Sequence, residues 1–484
     1  MAAVLAHPGE DAPRLVLADW LSDVGDPRGP FIADQVRLAQ LKEIHPDWSS
    51  CYARSERLRV IHEPSWSAPL AQCFPSREVW QGTERRFRRG FLEHIESPYP
   101  PVSWEFLGGI AEATPLRSIA WRPPGEAPDQ VAQALQLAAE AGLRGVTMLF
   151  SGSLGPSVFD AITVDIIRRF DAFGVRSATV SAAAVARLTQ LLTSRLRSLA
   201  LDHTIIGDEG LAPLASSGLL ATVEQLDLRG NKLGREGIAH LVSKASDVPL
   251  DLSLADNPSA APHLDAVLRW RPLRRLDLVG SVDQPAIDRL LTSPRLAELQ
   301  QLALAPLLPW HFDEMRASAL AAVPFSRLTR LAIGRCRVTP RGMASLASSP
   351  HLSRLVDFEA YDSWIRDAGV EALVTSGNLV RLVRLDLNGN ELTDRALELL
   401  AGWEGLEHIV HLKLGQNYDI TEKGWRALIT ADRFRPASLG VTQHLRTANP
   451  RLWRALIERF GEGVVHHDGL RWPMPYPSPY SMLD

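Results

Sequence analysis

Residues 382–402 read "LVRLDLNGNELTDRALELLAG". Leu382, Leu385 and Leu387 alternate with variable residues, which is the period of a half-buried strand. Then Asn390 interrupts the apolar run just before Leu392. The second half, "ALELLAG", carries apolar residues at helical spacing. The stretch therefore predicts a strand, a turn and a helix. It also raises a question: whether Asn390 belongs to a binding site or to the fold.

The same pattern recurs along the chain. "LRSLALDHTIIGDEGLAPL" starts at Leu196, "VEQLDLRGNKLGREGIAHL" at Val223 and "LTRLAIGRCRVTPRGMASL" at Leu328. "LVDFEAYDSWIRDAGVEAL" starts at Leu355 and "IVHLKLGQNYDITEKGWRALI" at Ile409. Weaker copies begin near Pro249, Leu273 and Leu299, and degenerate ones at Leu116, Leu143 and Val175. Successive starts from 196 to 409 lie 24 to 29 residues apart. That makes about eleven or twelve units. A strand, turn and helix of this size cannot bury its own apolar face, so the units must stack, with strands in parallel and helices on the other side.

The series resembles the leucine-rich-repeat family, in its ribonuclease-inhibitor-like form. The resemblance rests on Leu382, Leu385, Leu387, Asn390 and Leu392, matched by Val223, Leu226, Leu228, Asn231 and Leu233. It implies an α/β solenoid over residues 113–431, with a parallel inner sheet and outer helices. It also answers the question about Asn390. In such repeats the amide is buried where the chain leaves the strand and bonds to backbone groups of its own and the neighbouring unit. Asn231, Asn257, Asn390 and Asn417 are expected to form this structural ladder. Cys336 fills the same slot, and Thr204, Ser281 and Ser363 replace it where looser turns are expected.

Upstream, "HPGEDAPRLVLADWLSDVGDPRGPFIADQVRLAQL" predicts a helix through Leu15–Leu21, a turn at Gly25–Gly29 and a second helix through Phe31–Leu41. This run resembles the repeat-companion domain found at the N-terminus of some bacterial repeat proteins. The resemblance implies a bacterial, repeat-associated protein, with residues 1–112 as a small helical domain, and no activity. Residues 432–484 are expected to form a C-terminal cap, with a helix from Pro450 or Arg451 to Phe460 stopped by Gly461. Prolines 473, 475, 477 and 479 then favour an extended tail.

Composition narrows the function. The chain has 484 residues, 45% hydrophobic and 22% charged, with a formal charge of −4. No global field favours nucleic acid or an anionic membrane. The start lacks a basic n-region, and no apolar run reaches bilayer length, so a cytoplasmic protein is expected. Cys51, Cys73 and Cys336 show no CxxC spacing, so neither disulfides nor a thiolate metal site is expected.

Few residues suggest chemistry. His62 and His466 stand near carboxylates but lack HExxH spacing, and His466 and His467 would point opposite ways on a strand. No GxSxG, phosphate-binding or dinucleotide motif occurs. Arg85, Arg86, Arg88 and Arg89 could contact phosphates, but alternation through Phe87 and Phe91 fits an amphipathic strand or turn. Neither cofactor nor metal is expected, and no catalytic residue.

The inner sheet face is the expected binding surface. The variable positions of each LxxLxL project onto it. They include Asp227, Arg229, Arg275, Asp277, Arg330, Asp357, Glu359, Tyr361, Arg384, Asp386, Asn388, His411 and Lys413. Interleaved charge suits register-specific protein recognition and repels phosphates at its acidic positions. The sequence thus points to a non-catalytic recognition scaffold for another protein: a sensor, adaptor or inhibitor in bacterial signalling or defence. Two other readings stand beside it. One is a regulatory subunit or proteolytic substrate controlling a separately encoded effector. The other is a hydrolase with its site in the N-terminal domain.

Overall fold

The computed structural model describes residues 1–41, 45–72, 74, 76, 79–80, 83–97, 105–123, 127–192 and 195–467. Cys73 and the proline-rich tail lie outside them. Residues 1–36 and 63–273 make one compact unit, and residues 37–62 with 274–467 make another.

The first unit opens with helices Ala2–Ala6, Ala12–Asp23 and Arg28–Gln40, the last running past the unit's limit. Gly25 sits at φ +76 between the second and third, as the "GDPRG" turn requires. Val4, Ala18, Ile32, Val36 and Phe91 close their core. Arg14 is wholly buried there and pairs with buried Glu93 at 2.8 Å. Strand Glu84–Arg88 turns back antiparallel onto Phe91–Ser97. At that turn Gly90 adopts φ +87, and a Cβ would lie 2.3 Å from the Ile32 side chain. From Phe91–Ser97 onward all pairing in the main sheet is parallel. Strands Ser118–Trp121, Gly145–Leu149, Ala172–Arg176, Ser198–Asp202, Gln225–Asp227 and Leu250–Ser253 follow in order.

The second unit repeats this arrangement. Its parallel strands are Leu273–Asp277, whose first residue belongs to the first unit, then Gln301–Leu304, Arg330–Ile333, Asp357–Glu359, Arg384–Asp386, His411–Lys413, Ser438–Val441 and Val465–His467. The parallel series therefore continues beyond residue 431. A helix follows most strands, for example Thr339–Ser348, Arg366–Thr375, Asp394–Gly402 and Glu422–Thr430. Helix Pro450–Phe460 ends at Gly461, at φ +103.

One set of contacts recurs in each repeat. Leu226, Leu331 and Leu385 hold equivalent registers in their own units, each no more than 2% exposed. Burying a leucine contributes about 1.5–3 kcal/mol, so the series supplies the main driving force for stacking. The asparagines carry the turns. Asn390 Oδ1 accepts from the Ser363 and Ile365 amides at 3.0 and 3.3 Å. Its Nδ2 donates to the Ala360 and Asn388 carbonyls at 2.7 and 3.0 Å. Asn417 Oδ1 accepts in turn from the Asn390 and Leu392 amides, and Asn257 does the same for Asn231 and Leu233. Asn231 Oδ1 accepts from Thr204 Oγ1 and the Ile206 amide. Cys336 Sγ and Ser363 Oγ bond carbonyls from the same slot.

The helix side carries a second ladder. Asp394 accepts from the amides of Thr421 and Gly424 and from the Thr421 hydroxyl. Asp367 does so for Thr393. A Cβ on Gly424 would stand 2.6 Å from Asp394 Oδ1, so close approach selects glycine there.

Candidate protein-recognition face

The variable positions form columns in strict register within each unit. Arg330, Asp357, Arg384 and His411 are successive partners, and so are Ala332, Glu359, Asp386 and Lys413. In the first unit Ser198, Gln225 and Asp251 align, as do Ala200, Asp227 and Ser253. Arg275 and Asp277 pair with Gln301 and Ala303. These side chains occupy the face opposite the leucines.

The columns sort by what each side chain already holds. Asp227, Asp277 and Asp386 each accept the backbone amide two residues on, at 3.1, 3.1 and 3.0 Å. They fix the exit turn of the strand as Asx turns do. Asp227 also faces Arg229 at 3.6 Å, and Lys413 Nζ sits 3.0 Å from Asp386.

Arg384 and His411 hold a segment of the chain's own N-terminal region. Helix Trp48–Ala71 begins within the second unit, to which its residues through His62 belong. Arg384 Nε donates to the Tyr52 hydroxyl at 3.0 Å, and a second guanidinium nitrogen does the same. Arg384 also reaches Asp357 at 3.5 Å. His411 Nε2 lies 3.3 Å from the Tyr52 hydroxyl and 3.7 Å from Glu56. Trp48 stacks on Tyr52 at 4.9 Å. Ala53 packs with Val383, Val410 and Ala437, the residues just before three successive strands. Arg57 donates to the Arg435 and Glu407 carbonyls, and Arg381 to that of His45. At 1.5 Å per residue, Trp48 to Val60 spans about 18 Å, enough for nearly four strand spacings of ~4.8 Å.

Burial sets the charge states in this contact. It raises Tyr52 to about 12, keeping a neutral phenol. It works to raise Glu56 as well, but Arg59, bonded at 2.9 Å, brings that carboxyl down to about 2. Burial, reinforced by Arg384, lowers His411 to about 3, so the imidazole is neutral.

Beside this contact lies a carboxyl with no bonded partner among the described residues. Glu359 is 7% exposed, yet among the described residues its carboxylate makes neither a hydrogen bond nor an ion pair. Burial, then Asp357 and Asp386, push its pKa up to about 8. Two residues on, the Tyr361 ring lies over Gly334, where a Cβ would be 2.1 Å from ring carbon Cζ. Asn388, on the next repeat, has a buried Oδ1 without a hydrogen-bond donor among the described residues. The Asp362 amide donates to the Asn388 carbonyl at 2.8 Å, placing Tyr361 and Asn388 on adjacent strand exits.

The loops leaving the strands expose Leu307, Leu308, Trp310, Trp364 and Tyr418. Tyr418 is 74% exposed, and Arg337 stacks on Trp364 at 4.8 Å. Sequence reasoning passed over these residues. Their signal was large apolar side chains at turn positions that otherwise carry polar ones.

The remaining candidates are committed elsewhere. Arg85 stacks on Trp80 and pairs with Glu63 at 3.3 Å. Arg86 pairs with Glu84, and Arg89 with Glu93. Phe87 packs edge-on against Phe31. His466 Nε2 lies 2.5 Å from the Ser438 hydroxyl, while His467 stacks on Trp453 at 4.6 Å. Among the described residues, no three His, Cys, Asp or Glu side chains are grouped to hold a metal ion. No helix among them is long and apolar enough to cross a membrane.

Comparison with known proteins agrees with the repeat reading. Residues 220–242 and 382–401 match the family described as Leucine Rich repeat. No curated protein matches the chain in sequence. Among solved structures, the chain is similar to one from the yeast Rad7 and Elc1 complex, at 16% identity and a TM-score of 0.41, over 79% of each chain. It is also similar to the leucine-rich repeat-containing protein LegL7 from Legionella pneumophila, at 12% identity and a TM-score of 0.34, over 71% of this chain and 98% of that one. A third similarity is to the TLR13–ssRNA13 complex, at 12% identity and a TM-score of 0.26, over 75% of this chain and 59% of that chain. The chain has an α/β fold with a parallel sheet and flanking helices, and two of its segments match the leucine-rich-repeat family.

Proposed function

We propose that the protein is a non-catalytic recognition scaffold that binds another protein through the polar face of its repeat sheet. One observation carries the reading. The leucines and asparagines hold the fold without help from Glu359, Tyr361 and Asn388, which stand together on that face; among the described residues Asn388 Oδ1 is buried without a donor, and the Glu359 carboxylate makes neither a hydrogen bond nor an ion pair. Groups buried without partners cost stability, about 1–3 kcal/mol each, and a partner that satisfies them recovers it. Exposed Trp310, Trp364 and Tyr418 at the strand exits add the aromatic side chains that dominate protein hot spots. The in-register columns of Arg330 with Asp357 and of Ala332 with Glu359 and Asp386 support selection of a complementary charge pattern.

On this reading residues 1–112 act as an N-terminal domain, 113–431 as the repeat array and 432–484 as the cap and tail. The resemblance of the N-terminal run to the repeat-companion domain supports a role in bacterial signalling or defence. Sparse cysteines support a cytoplasmic setting.

The test is affinity purification with the full chain and with a variant carrying Arg330→Ala, Glu359→Gln and Tyr361→Ala. A protein retained by the wild type and lost by the folded variant supports the reading. Equal retention moves the binding surface off this face.

A further inference from the structure

We infer that Glu359, Asn388 and Tyr361 form a subsite for one arginine side chain presented by the protein partner. This rests on the recognition reading and gives it a chemistry. Five charged groups meet on three adjacent strands of the second unit: Asp357, Glu359, Arg384, Asp386 and Lys413. Asp357 has Arg384 at 3.5 Å, and Asp386 has Lys413 at 3.0 Å. Within these three strands three carboxylates meet two cations, Arg330 stands beside Asp357 on the preceding strand, and among the described residues Glu359 is the carboxylate without an ion pair. Glu359 is only 7% exposed, and ionising a carboxyl so nearly buried is costly without a counter-ion. The missing component is a cation.

The surroundings select which cation. Asn388 Oδ1, buried and without a donor among the described residues, supplies a second acceptor one strand away. A guanidinium offers five N–H donors in a flat fork, so it can serve both acceptors, whereas an ammonium is a compact point charge. The Tyr361 ring supplies an aromatic face, on which guanidinium stacks. Gly334, under that ring, keeps it against the sheet instead of raised into the approach. Arg384 does not fill the role because two of its nitrogens are engaged by Tyr52.

The experiment uses the full chain and three small probes: N-acetyl-arginine amide, N-acetyl-lysine amide and N-acetyl-citrulline amide, the last matching arginine in shape without its charge. Thermal unfolding is followed as each is titrated, since a ligand bound only by the folded state raises Tm. The arginine probe is expected to raise Tm saturably and well beyond citrulline. Glu359→Gln is expected to weaken that binding at least ten-fold, and Tyr361→Ala to weaken it as well. Equal effects of arginine and citrulline, or an undiminished arginine effect in Glu359→Gln, would overturn the subsite. Equal effects of arginine and lysine would overturn the guanidinium assignment. If Glu359→Gln does not fold, Tyr361→Ala carries the comparison, and an unchanged arginine effect there overturns the inference. Loss of the subsite with partner retention still dependent on Arg330 and Tyr361 would leave the scaffold reading standing. Loss of both would remove it.

Discussion

The hydroxyl of Tyr52 accepts a hydrogen bond from Nε of Arg384 at 3.0 Å, joining residues 332 positions apart. A side chain from the N-terminal region is thereby fixed to the first variable column of a repeat. The contact joins a polar network to an apolar patch in which Ala53, Val383, Val410 and Ala437 pack with Tyr52 and Val60. The hydrogen-bonded share of its strength is measurable by substitution.

Tyr52→Phe and Arg384→Ala should each destabilise the chain, and the double variant should lose less than the sum. A coupling of about 1–3 kcal/mol is expected for a buried bond to a charged donor. Denaturant unfolding of the four chains gives the number. Additivity within ~0.5 kcal/mol would mean that the bond contributes nothing specific.

Glu359 gives a pH dependence of defined sign. Its folded pKa, near 8, lies above the ordinary carboxylate value of 4.5. Below about pH 4.5 both folded and unfolded forms are protonated and the group is neutral in its effect. As pH rises towards 8 the unfolded form ionises first, so stability falls, by a few kcal/mol in all. Glu359→Gln removes this slope. The variant should match the wild type near pH 4.5 and exceed it at pH 8.5 in thermal melts. A wild type no less stable than the variant at pH 8.5 contradicts the assignment.

Asn390→Ala should cost about 3–5 kcal/mol, because it strands two buried amides and two carbonyls at once. Hydrogen exchange should accelerate at Ser363 and Ile365, on the neighbouring repeat, as well as at the substituted turn. Acceleration confined to residue 390 and its immediate neighbours would contradict a ladder that couples repeats.

Gly334→Ala should separate binding from folding. The atoms nearest the added methyl all belong to the Tyr361 ring, which can rotate away, so unfolding should shift by no more than about 1 kcal/mol. Partner retention should fall, because the ring then stands in the approach to Glu359. Retention at wild-type level would show that the ring's position does not matter to binding.

Much of this was legible in the sequence because strand periodicity is two. Once Leu226, Leu331 and Leu385 are aligned, every variable position follows, and the register of Arg330, Asp357, Arg384 and His411 agrees residue for residue. The turn role of Asn390 was equally readable, since a buried amide has few alternatives. The docking of residues 48–62 was not. Helix Trp48–Ala71 contains Pro64 and Pro69 and alternates polar and apolar residues without a stripe, so nothing in it marks a buried face. Its partners lie more than 300 residues away and are small or charged. Likewise, the Asp386 carboxylate reads as a surface charge in the sequence, and only coordinates show it capping the Asn388 amide. The strands at Ser438–Val441 and Val465–His467 lack the leucine spacing that marked the others.

The central claim is that a protein partner lies on the polar face of the repeat sheet. Hydrogen-exchange footprinting of the full chain with its captured partner tests it most directly. The account predicts slowed exchange in 330–335 and 357–363, with helices 339–348 and 366–375 unchanged. Slowing confined to those helices, with the strands and their exit turns unaffected, would contradict it.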